Sequence, residues 1–235
     1  MKLVLFDIDG TLLWTDGAGR RAIHQALVDE VGTAGPIASY RFDGKTDPQI
    51  VRELLSLAGV AEATVAAALD AVLRRYVERL EQALAGTEGK AATQLLAGVS
   101  ELLDALRMPE AEGRVLVGLL TGNVARGAAL KLEAAGLDPG RFAVGAFGSD
   151  SAYRPDLPAV AVQRAAARTG RTFHGPDVVV VGDTPEDVAC GQPIGARVVA
   201  VATGNFGVDD LRAAGAAHVF RDLSDTPAVL AALLE

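Results

Sequence analysis

Cysteine, aromatic residues and long apolar runs are all scarce in this chain of 235 residues. The single cysteine, Cys190, excludes an internal disulfide framework and a cysteine-based zinc cluster. No apolar run is long enough to span a membrane, and the first, residues 3–6, is too short for a signal peptide. These absences predict a soluble, cytoplasmic protein, and no feature of the sequence indicates its oligomeric state.

Positive charge is also in short supply. Lysine and arginine number 22 against 30 aspartates and glutamates, which gives a net charge of −8. This balance argues against general affinity for nucleic acid or for an anionic membrane surface. Half of the residues are hydrophobic, so the chain can bury a substantial core and is not expected to be disordered.

Apolar strands alternate with helices from about residue 99 to the end of the sequence. The predicted strands are residues 115–120, 142–147, 178–181, 198–201 and 218–220. Strands that alternate with helices indicate βαβ units, in which a parallel sheet is covered by helices on both faces. The predicted fold class is therefore α/β, a doubly wound, Rossmann-like sheet.

The chain between the first strand and about residue 90 has a different character. It shows helical spacing at residues 17–31 and 61–85 and no strand, and Asp47-Pro48 is interpreted as an N-cap followed by the first residue of another helix. We therefore predict a sheet core built from residues 1–14 and 92–235, with a helical insertion at 15–91. Because the insertion leaves from the carboxyl end of the first strand, it is placed to act as a cap over that end of the sheet.

Two carboxylates follow the first strand. The apolar run of residues 3–6 leads directly into Asp7, Asp9 and Gly10, and the glycine permits a sharp turn. Ligands of open α/β sheets bind at the carboxyl ends of the strands. The pair is interpreted as a catalytic or metal-binding site; the alternative is a solvated acidic turn.

A third acid follows the apolar strand at residues 178–181. Asp183 is predicted to point into the same cleft as Asp7, and Asp187 lies one helical turn further on. Thr184 and Pro185 between them are explained by helix capping. The side chains of Asp7 and Asp183 and the backbone oxygen of Asp9 are hard oxygen ligands, which suit Mg²⁺.

Two further segments offer phosphate-binding groups. Thr121, Gly122 and Asn123 follow another buried strand and are interpreted as a phosphate site at a helix N-terminus, although an ordinary strand-to-helix turn has the same composition. Arg154 precedes a proline and supplies a cation that could balance the carboxylates, the alternative being a surface arginine. Lys131 is a possible substitute for this cation, but an exposed helix face is the favoured placement for it.

In this order and spacing the segments resemble the haloacid dehalogenase-like hydrolase superfamily. They are Asp7-Ile-Asp-Gly-Thr, Thr121-Gly-Asn, the basic Arg154 and Gly-Asp183-Thr-Pro-Glu-Asp187. The resemblance implies that Asp7 is a nucleophile that forms an aspartyl-phosphate and that Asp9 is the general acid and base. It also implies that Thr121 binds the phosphoryl group and that Asp183, assisted by Asp187, holds Mg²⁺. The family usually has lysine where this chain has Arg154.

The second aspartate and the insertion indicate a branch of the superfamily. Dehalogenases of the superfamily lack an acid at the position of Asp9, so its presence argues for a phosphate ester as substrate. The helical insertion resembles the cap of the phosphoglycolate phosphatase and β-phosphoglucomutase branch. Within it, Gly44, Lys45 and Thr46 resemble the substrate-facing cap loop, and Lys45 could bind an anionic group of a small phosphorylated metabolite. Three other charged residues near the cap entrance are interpreted as surface residues: Arg20, Arg21 and His24.

The favoured function is a Mg²⁺-dependent phosphatase for a small phosphomonoester. A phosphomutase would return the phosphoryl group of Asp7 to a sugar phosphate instead of to water. A phosphonate hydrolase would need a Schiff-base lysine in the cap, for which Lys45 is the candidate. A catalytically silent scaffold is the non-enzymatic alternative.

Overall fold

A six-stranded parallel sheet forms the centre of the molecule. The computed structural model describes the backbone of residues 1–235 and every side chain except that of Thr87. The strands are β1 (Lys2–Phe6), β2 (Leu13–Trp14), β3 (Gln94–Leu95), β4 (Val115–Thr121), β5 (Val144–Phe147), β6 (Val178–Gly182), β7 (Arg197–Val201) and β8 (His218–Phe220). The large sheet has the order β5-β4-β1-β6-β7-β8, and all its pairings are parallel. The predicted α/β fold class is confirmed.

Helices cover the sheet and form the insertion. They are α1 (Ala18–Val31), α2 (Asp47–Leu57), α3 (Glu62–Leu84), α4 (Gly86–Ala92), α5 (Val99–Ala105), α6 (Arg107–Ala111), α7 (Ala125–Ala134), α8 (Leu157–Thr169), α9 (Pro185–Gly191), α10 (Val208–Ala213) and α11 (Thr226–Leu234). Within the described part of the chain, no helix is both long and apolar enough to cross a membrane.

Strand β1 lies between β4 and β6, and both of its faces are buried. Val4 and Phe6 belong to one apolar layer of the core, whereas Leu3 and Leu5 belong to the layer on the other face. A strand covered by helices on both sides needs such a continuous apolar run. The residue that follows it, Asp7, is consequently the first polar group at this end of the strand.

The inserted helices have an apolar cluster of their own. Buried residues of α1, α2 and α3 pack together, among them Ile23, Leu27, Leu54 and Tyr76. Leu130 of α7 joins this cluster, so α7 is the core helix on which the insertion rests.

A small second sheet was not predicted from the sequence. Strands β2 and β3 pair antiparallel, with Leu13 opposite Leu95, where the chain enters and leaves the insertion. The prediction of no strand between β1 and residue 90 is therefore wrong for Leu13–Trp14. Two residues are too few to show a strand period.

The start of α2 also differs from the prediction. Thr46, not Asp47, is the N-cap, and its hydroxyl accepts a hydrogen bond from the Gln49 amide. Asp47 is the first helical residue, and its carboxylate bonds to Val124 of the core instead. A long-range partner has thus replaced the local cap that the dipeptide suggested.

Candidate active site

The acids and polar residues that follow β1, β4 and β6 meet at one edge of the sheet. These three strands are neighbours and parallel, so their carboxyl ends bring Asp7, Thr121 and Asp183 together. They line a cavity of about 340 Å³ between the sheet and the insertion. Other residues of the cavity wall are Asp9, Trp14, Arg20, Phe42, Gly44, Lys45, Ile50, Lys131, Arg154 and Asn205.

Asp7 is almost completely buried at the end of β1. Its backbone N–H donates to the Val181 carbonyl at 2.9 Å, which continues the pairing of β1 with β6 past the last strand residue. Burial raises the pKa of Asp7 to about 6, while Arg154, whose Nη2 lies 3.2 Å from Oδ2, lowers it. The guanidinium therefore favours the ionised form, which is the form that can act as a nucleophile.

Asp183 sits in a narrow recess beside Asp7. The Thr11 hydroxyl donates to its Oδ1 at 3.1 Å, and a Cβ at either Gly10 or Gly204 would collide with its carboxylate. Burial, followed by the charges of Asp187 and Asp7, raises the pKa of Asp183 to about 9. Crowded carboxylates of this kind indicate that a cation is needed in the recess.

Asp187 is fully buried, and both of its carboxylate oxygens are already bonded. Oδ2 accepts from the Thr184 N–H at 3.0 Å and from the Thr184 hydroxyl at 2.6 Å, which forms a capping box at the start of α9. Oδ1 forms an ion pair with Arg154. Asp187 therefore fixes the start of α9 and the position of Arg154.

Arg154 is buried between two acids rather than exposed. Burial opposes its charge, but Asp187 and Asp7 together hold the pKa of Arg154 well above its ordinary value. The surface interpretation of this residue is therefore wrong. The guanidinium instead lies where its charge balances those of Asp7 and Asp187.

The structure also contradicts the favoured placement of Lys131. It is only 4% exposed, and its Nζ lies 2.8 Å from Oδ1 and 2.7 Å from Oδ2 of Asp9, and 2.6 Å from Oδ1 of Asn123. The Asn123 amide nitrogen donates to Asp9 Oδ2 and to the Thr121 hydroxyl oxygen, each at 2.8 Å. The expected exposed helix face is wrong, because α7 directs this side chain under the insertion.

The loop after β4 leads into α7, whose first residue is Ala125. Thr121 is completely buried, and Gly122 and Asn123 precede the N-cap Val124. The Val124 N–H is taken by the Asp47 carboxylate at 2.8 Å, so this amide of the helix start is occupied by the insertion. Burial raises the pKa of Asp47 to about 6, although Lys131 lowers it.

The predicted cap loop lies against the core. Gly44 and Lys45 line the cavity, but Thr46 does not: its buried hydroxyl donates to the Ala152 carbonyl at 2.8 Å. The Asp47 N–H donates to the Gly122 carbonyl at 2.8 Å. Hence only Gly44 and Lys45 of the predicted trio face the cavity.

Lys45 and Arg20 both have partners within the insertion. Lys45 Nζ lies 2.6 Å from Glu53 Oε2 and 2.6 Å from the Tyr40 hydroxyl oxygen. Burial lowers the pKa of Lys45, but the hydrogen bonds to Glu53 and Tyr40 raise it by more, so the pKa lies above its ordinary value. Arg20 lies 4.0 Å over the Phe42 ring and lines the cavity, so its surface interpretation is wrong. Arg21 and His24 are exposed, as predicted.

Sequence reasoning missed several residues that shape the site. Thr11 belongs to the quoted Asp7 segment, and its hydroxyl could have been recognised as a donor beside the strand end. Gly204 and Asn205 follow β7, whose carboxyl end reaches the same edge, and Asn205 donates to Asp43 of the cap loop at 2.6 Å. Strand order along the sheet, which puts β7 next to β6, is the signal that could have found them.

The acidic residues could hold a metal ion. Asp7, Asp183 and Asp187 each offer a carboxylate oxygen, and these atoms lie within 4.8 Å of one another. Since both oxygens of Asp187 are engaged, Asp7 and Asp183 are the better donors. Hard oxygens in a site with an excess of negative charge fit Mg²⁺.

Comparison with known proteins agrees with this arrangement. The profile of the haloacid dehalogenase-like hydrolase family matches residues 4–192. No curated protein matches the chain by sequence. Among solved structures, a hydrolase from Pseudomonas syringae shares 21% identity with a TM-score of 0.73, and 100% of each chain is covered.

Two further structures have the same fold. A predicted phosphoglycolate phosphatase from Haemophilus somnus is 20% identical with a TM-score of 0.69 over 98% of both chains. A provisionally named β-phosphoglucomutase from Thermotoga maritima is 19% identical with a TM-score of 0.62 over 99% of both chains. The fold and the extent of the profile match confirm the resemblance drawn from the motifs. The chain belongs to the haloacid dehalogenase-like hydrolases.

Proposed function

We propose that this hydrolase is a Mg²⁺-dependent phosphatase of small organic phosphomonoesters that works through an aspartyl-phosphate on Asp7. One observation carries the proposal: the buried carboxylate of Asp7 faces the Arg154 guanidinium in a cavity that also holds a second, more exposed carboxylate, Asp9. A nucleophile beside an acid and base divides one difficult displacement into two easier ones.

The two steps assign a role to each acid. A carboxylate oxygen of Asp7 bonds to phosphorus while the ester P–O bond breaks, and Asp9 gives its proton to the departing oxygen. Asp9 then takes a proton from water, whose oxygen bonds to phosphorus and releases inorganic phosphate from Asp7. Arg154 and Thr121 are the groups that would bind the phosphoryl oxygens in both steps.

Magnesium fits the donors that this chain provides. Asp7 and Asp183 would hold the ion, together with the backbone oxygen of Asp9, and Thr11 orients Asp183. When bound, the ion would neutralise the acids and the developing charge on the phosphoryl oxygens. The excess of buried carboxylates over the single guanidinium of Arg154 supports this assignment.

We propose that residues 15–91 are a cap that encloses the substrate. The insertion closes the cavity on the side away from the sheet, and the volume of about 340 Å³ is suited to a small metabolite. Ile23, Phe42 and Ile50 give this wall an aromatic and aliphatic character. A cytoplasmic location remains a prediction from the sequence.

The other enzymatic alternatives use the same scaffold. A phosphomutase needs the same Asp7 and Asp9, and the resemblance to a provisionally named β-phosphoglucomutase keeps it as the second candidate. A phosphonate hydrolase needs a neutral cap lysine, but Glu53 and Tyr40 stabilise the charged form of Lys45. The structure of the cap thus favours phosphate ester chemistry.

Phosphate release from a panel of monoesters tests the proposal. The panel contains phosphoglycolate, glycerol phosphate, glucose phosphate and p-nitrophenyl phosphate, each with Mg²⁺ and with EDTA. We expect release by the wild type with Mg²⁺ only and a loss of at least roughly 10³-fold in Asp7→Asn, because the nucleophile is absent. Equal rates in wild type and variant would contradict the mechanism. An isomeric sugar phosphate without free phosphate would identify a mutase.

A further inference from the structure

Lys131 is a charged residue of the cavity wall that has no role in the two steps above. It lies on α7, two turns from the helix start, and its residue is 4% exposed. Its Nζ donates hydrogen bonds to three side-chain oxygens, two of Asp9 and one of Asn123, at 2.6–2.8 Å. A buried ammonium whose donors all meet these two residues is placed to hold them in position.

The contacts fix one edge of the Asp9 carboxylate. Oδ2 accepts hydrogen bonds from Lys131 and Asn123, whereas Oδ1 accepts one from Lys131. The side chain of Asp9 is 36% exposed, against 6% for that of Lys131. Lys131 therefore holds both carboxylate oxygens, Asn123 holds Oδ2 as well, and the partly exposed side chain keeps more free hydrogen-bonding capacity at Oδ1 than at Oδ2.

Helix α1 of the insertion lies next to Lys131. A Cβ at Gly19 of α1 would lie 3.4 Å from Lys131 Nζ and 3.8 Å from the hydroxyl of Tyr76. At position 19, helix α1 therefore passes close to the lysine. Because Lys131 is almost fully buried, solvent screens its attraction to Asp9 less than it would on the surface.

We propose that Lys131 is a positioning residue that holds Asp9 in the orientation needed for proton transfer to the departing ester oxygen. This inference rests on the proposed function, in which Asp9 is the general acid. Lys131 does not itself contact the phosphoryl group in this role; Arg154 remains the cation that faces Asp7.

The dependence on the leaving group tests this role. An alkyl phosphate needs a proton on its departing oxygen, whereas p-nitrophenyl phosphate needs little help. For Lys131→Met we expect kcat/KM to fall roughly 10²-fold with the fastest alkyl ester of the panel but less than about threefold with p-nitrophenyl phosphate. Lys131→Arg should recover part of the loss, because it retains a cation.

A double variant shows whether the lysine acts through Asp9. Asp9→Asn should show the same dependence on the leaving group, and Lys131→Met added to it should lower kcat/KM no further. Lys90→Met is the matched control, since Lys90 is an exposed lysine of α4, and it should match the wild type with both esters.

The outcomes separate the inference from the proposed function. Equal losses with both esters, or additive losses in the double variant, would overturn the positioning role while leaving the phosphatase intact. A wild type that releases phosphate from no ester would overturn both. Folding is checked by circular dichroism, and if Lys131→Met does not fold, the same ratio of rates is measured for Lys131→Gln.

Discussion

The partners of each buried acid determine what it can do. Asp187 is bonded through both oxygens, Asp183 accepts from one hydroxyl, and Asp7 faces one guanidinium. Three buried carboxylates beside one Arg154 leave an excess of negative charge, which destabilises the fold unless a proton or a cation compensates for it. The site is therefore expected to be less stable without Mg²⁺ than with it.

Asp183→Asn should reduce this destabilisation of the metal-free protein. With a pKa raised to about 9, the metal-free acid must bind a proton when the chain folds near neutral pH, whereas the amide needs none and keeps an oxygen for the Thr11 hydroxyl. Without Mg²⁺ we expect Tm to rise by at least about 2 °C, which corresponds to about 1 kcal/mol in a chain of this size. Added Mg²⁺ should raise the Tm of the wild type but not of the variant, because ligands stabilise only the state that binds them.

Differential scanning fluorimetry with and without Mg²⁺ measures both effects. Asp209→Asn is the matched control, because the Asp209 side chain is 99% exposed and should change neither value. A lower Tm in metal-free Asp183→Asn, or an undiminished response to Mg²⁺, would be inconsistent with the proposed metal site.

Asp47 links pH to stability. Burial raises its pKa from 3.8 to about 6, so the folded chain binds this proton more tightly than the unfolded chain. The contribution of Asp47 to the free energy of unfolding is greatest below pH 3.8 and falls as the pH rises to about 6. Lys131, Asp9 and Tyr76 are the charged or titratable groups that face it.

The stability of Asp47→Asn relative to the wild type should therefore increase with pH. The Tm of the variant minus that of the wild type should increase from pH 4 to about pH 6 and then level off. The amide oxygen can still accept the Val124 N–H. Asp70→Asn, a change at an exposed position of α3, serves as the control and should give a flat difference. A difference that falls with pH would contradict the assignment.

At the scale of elements, the cap loop contacts the core through closely approaching backbones. Gly44 has φ +66°, and a Cβ there would collide with the Glu186 side chain at the start of α9. Gly122 is equally confined, because a Cβ there would collide with the Lys45 carbonyl. Closure of the insertion on the sheet thus depends on two positions without side chains.

Gly44→Ala separates backbone strain from loss of closure. Gly59 also has a left-handed φ, +78°, but has open space around it, so Gly59→Ala is the matched control. Both variants should lose about 1–2 kcal/mol of stability, the usual effect of a Cβ in this region. Only Gly44→Ala should also lower kcat/KM for phosphate release, by roughly tenfold or more, because the cap loop is pushed away from the core. Equal activity in the two variants would argue against a closed active form.

How far the sequence predicts an element depends on the range of its contacts. Strand β6 and helix α3 were predicted to within one residue, because a strand buried on both faces is a continuous apolar run and a helix buried on one face has a clear period. Strands β2 and β3 were missed because they have two residues each. The orientation of Lys131 was also missed, since it is decided by Asp9, which lies 122 residues away in the chain.

At the scale of the whole molecule, the cavity lies between the sheet core and the insertion, each of which has an apolar cluster of its own. The insertion packs on α7 and returns to the sheet core through the β2–β3 pair. On the other side of the cavity, Asp43, Thr46 and Asp47 bond to residues of the sheet core. The motifs predicted the edge of the sheet at which Asp7, Thr121 and Asp183 meet, but the cavity wall depends on packing between distant segments.

Trapping the covalent intermediate tests the central claim most directly. The enzyme is mixed with Mg²⁺ and its fastest ester, quenched in acid within one turnover and analysed by peptide mass spectrometry. We predict one phosphoryl group on the peptide that contains Asp7 and none in Asp7→Asn. A phosphoryl group on another residue, or phosphate release by Asp7→Asn at the wild-type rate, would contradict the account.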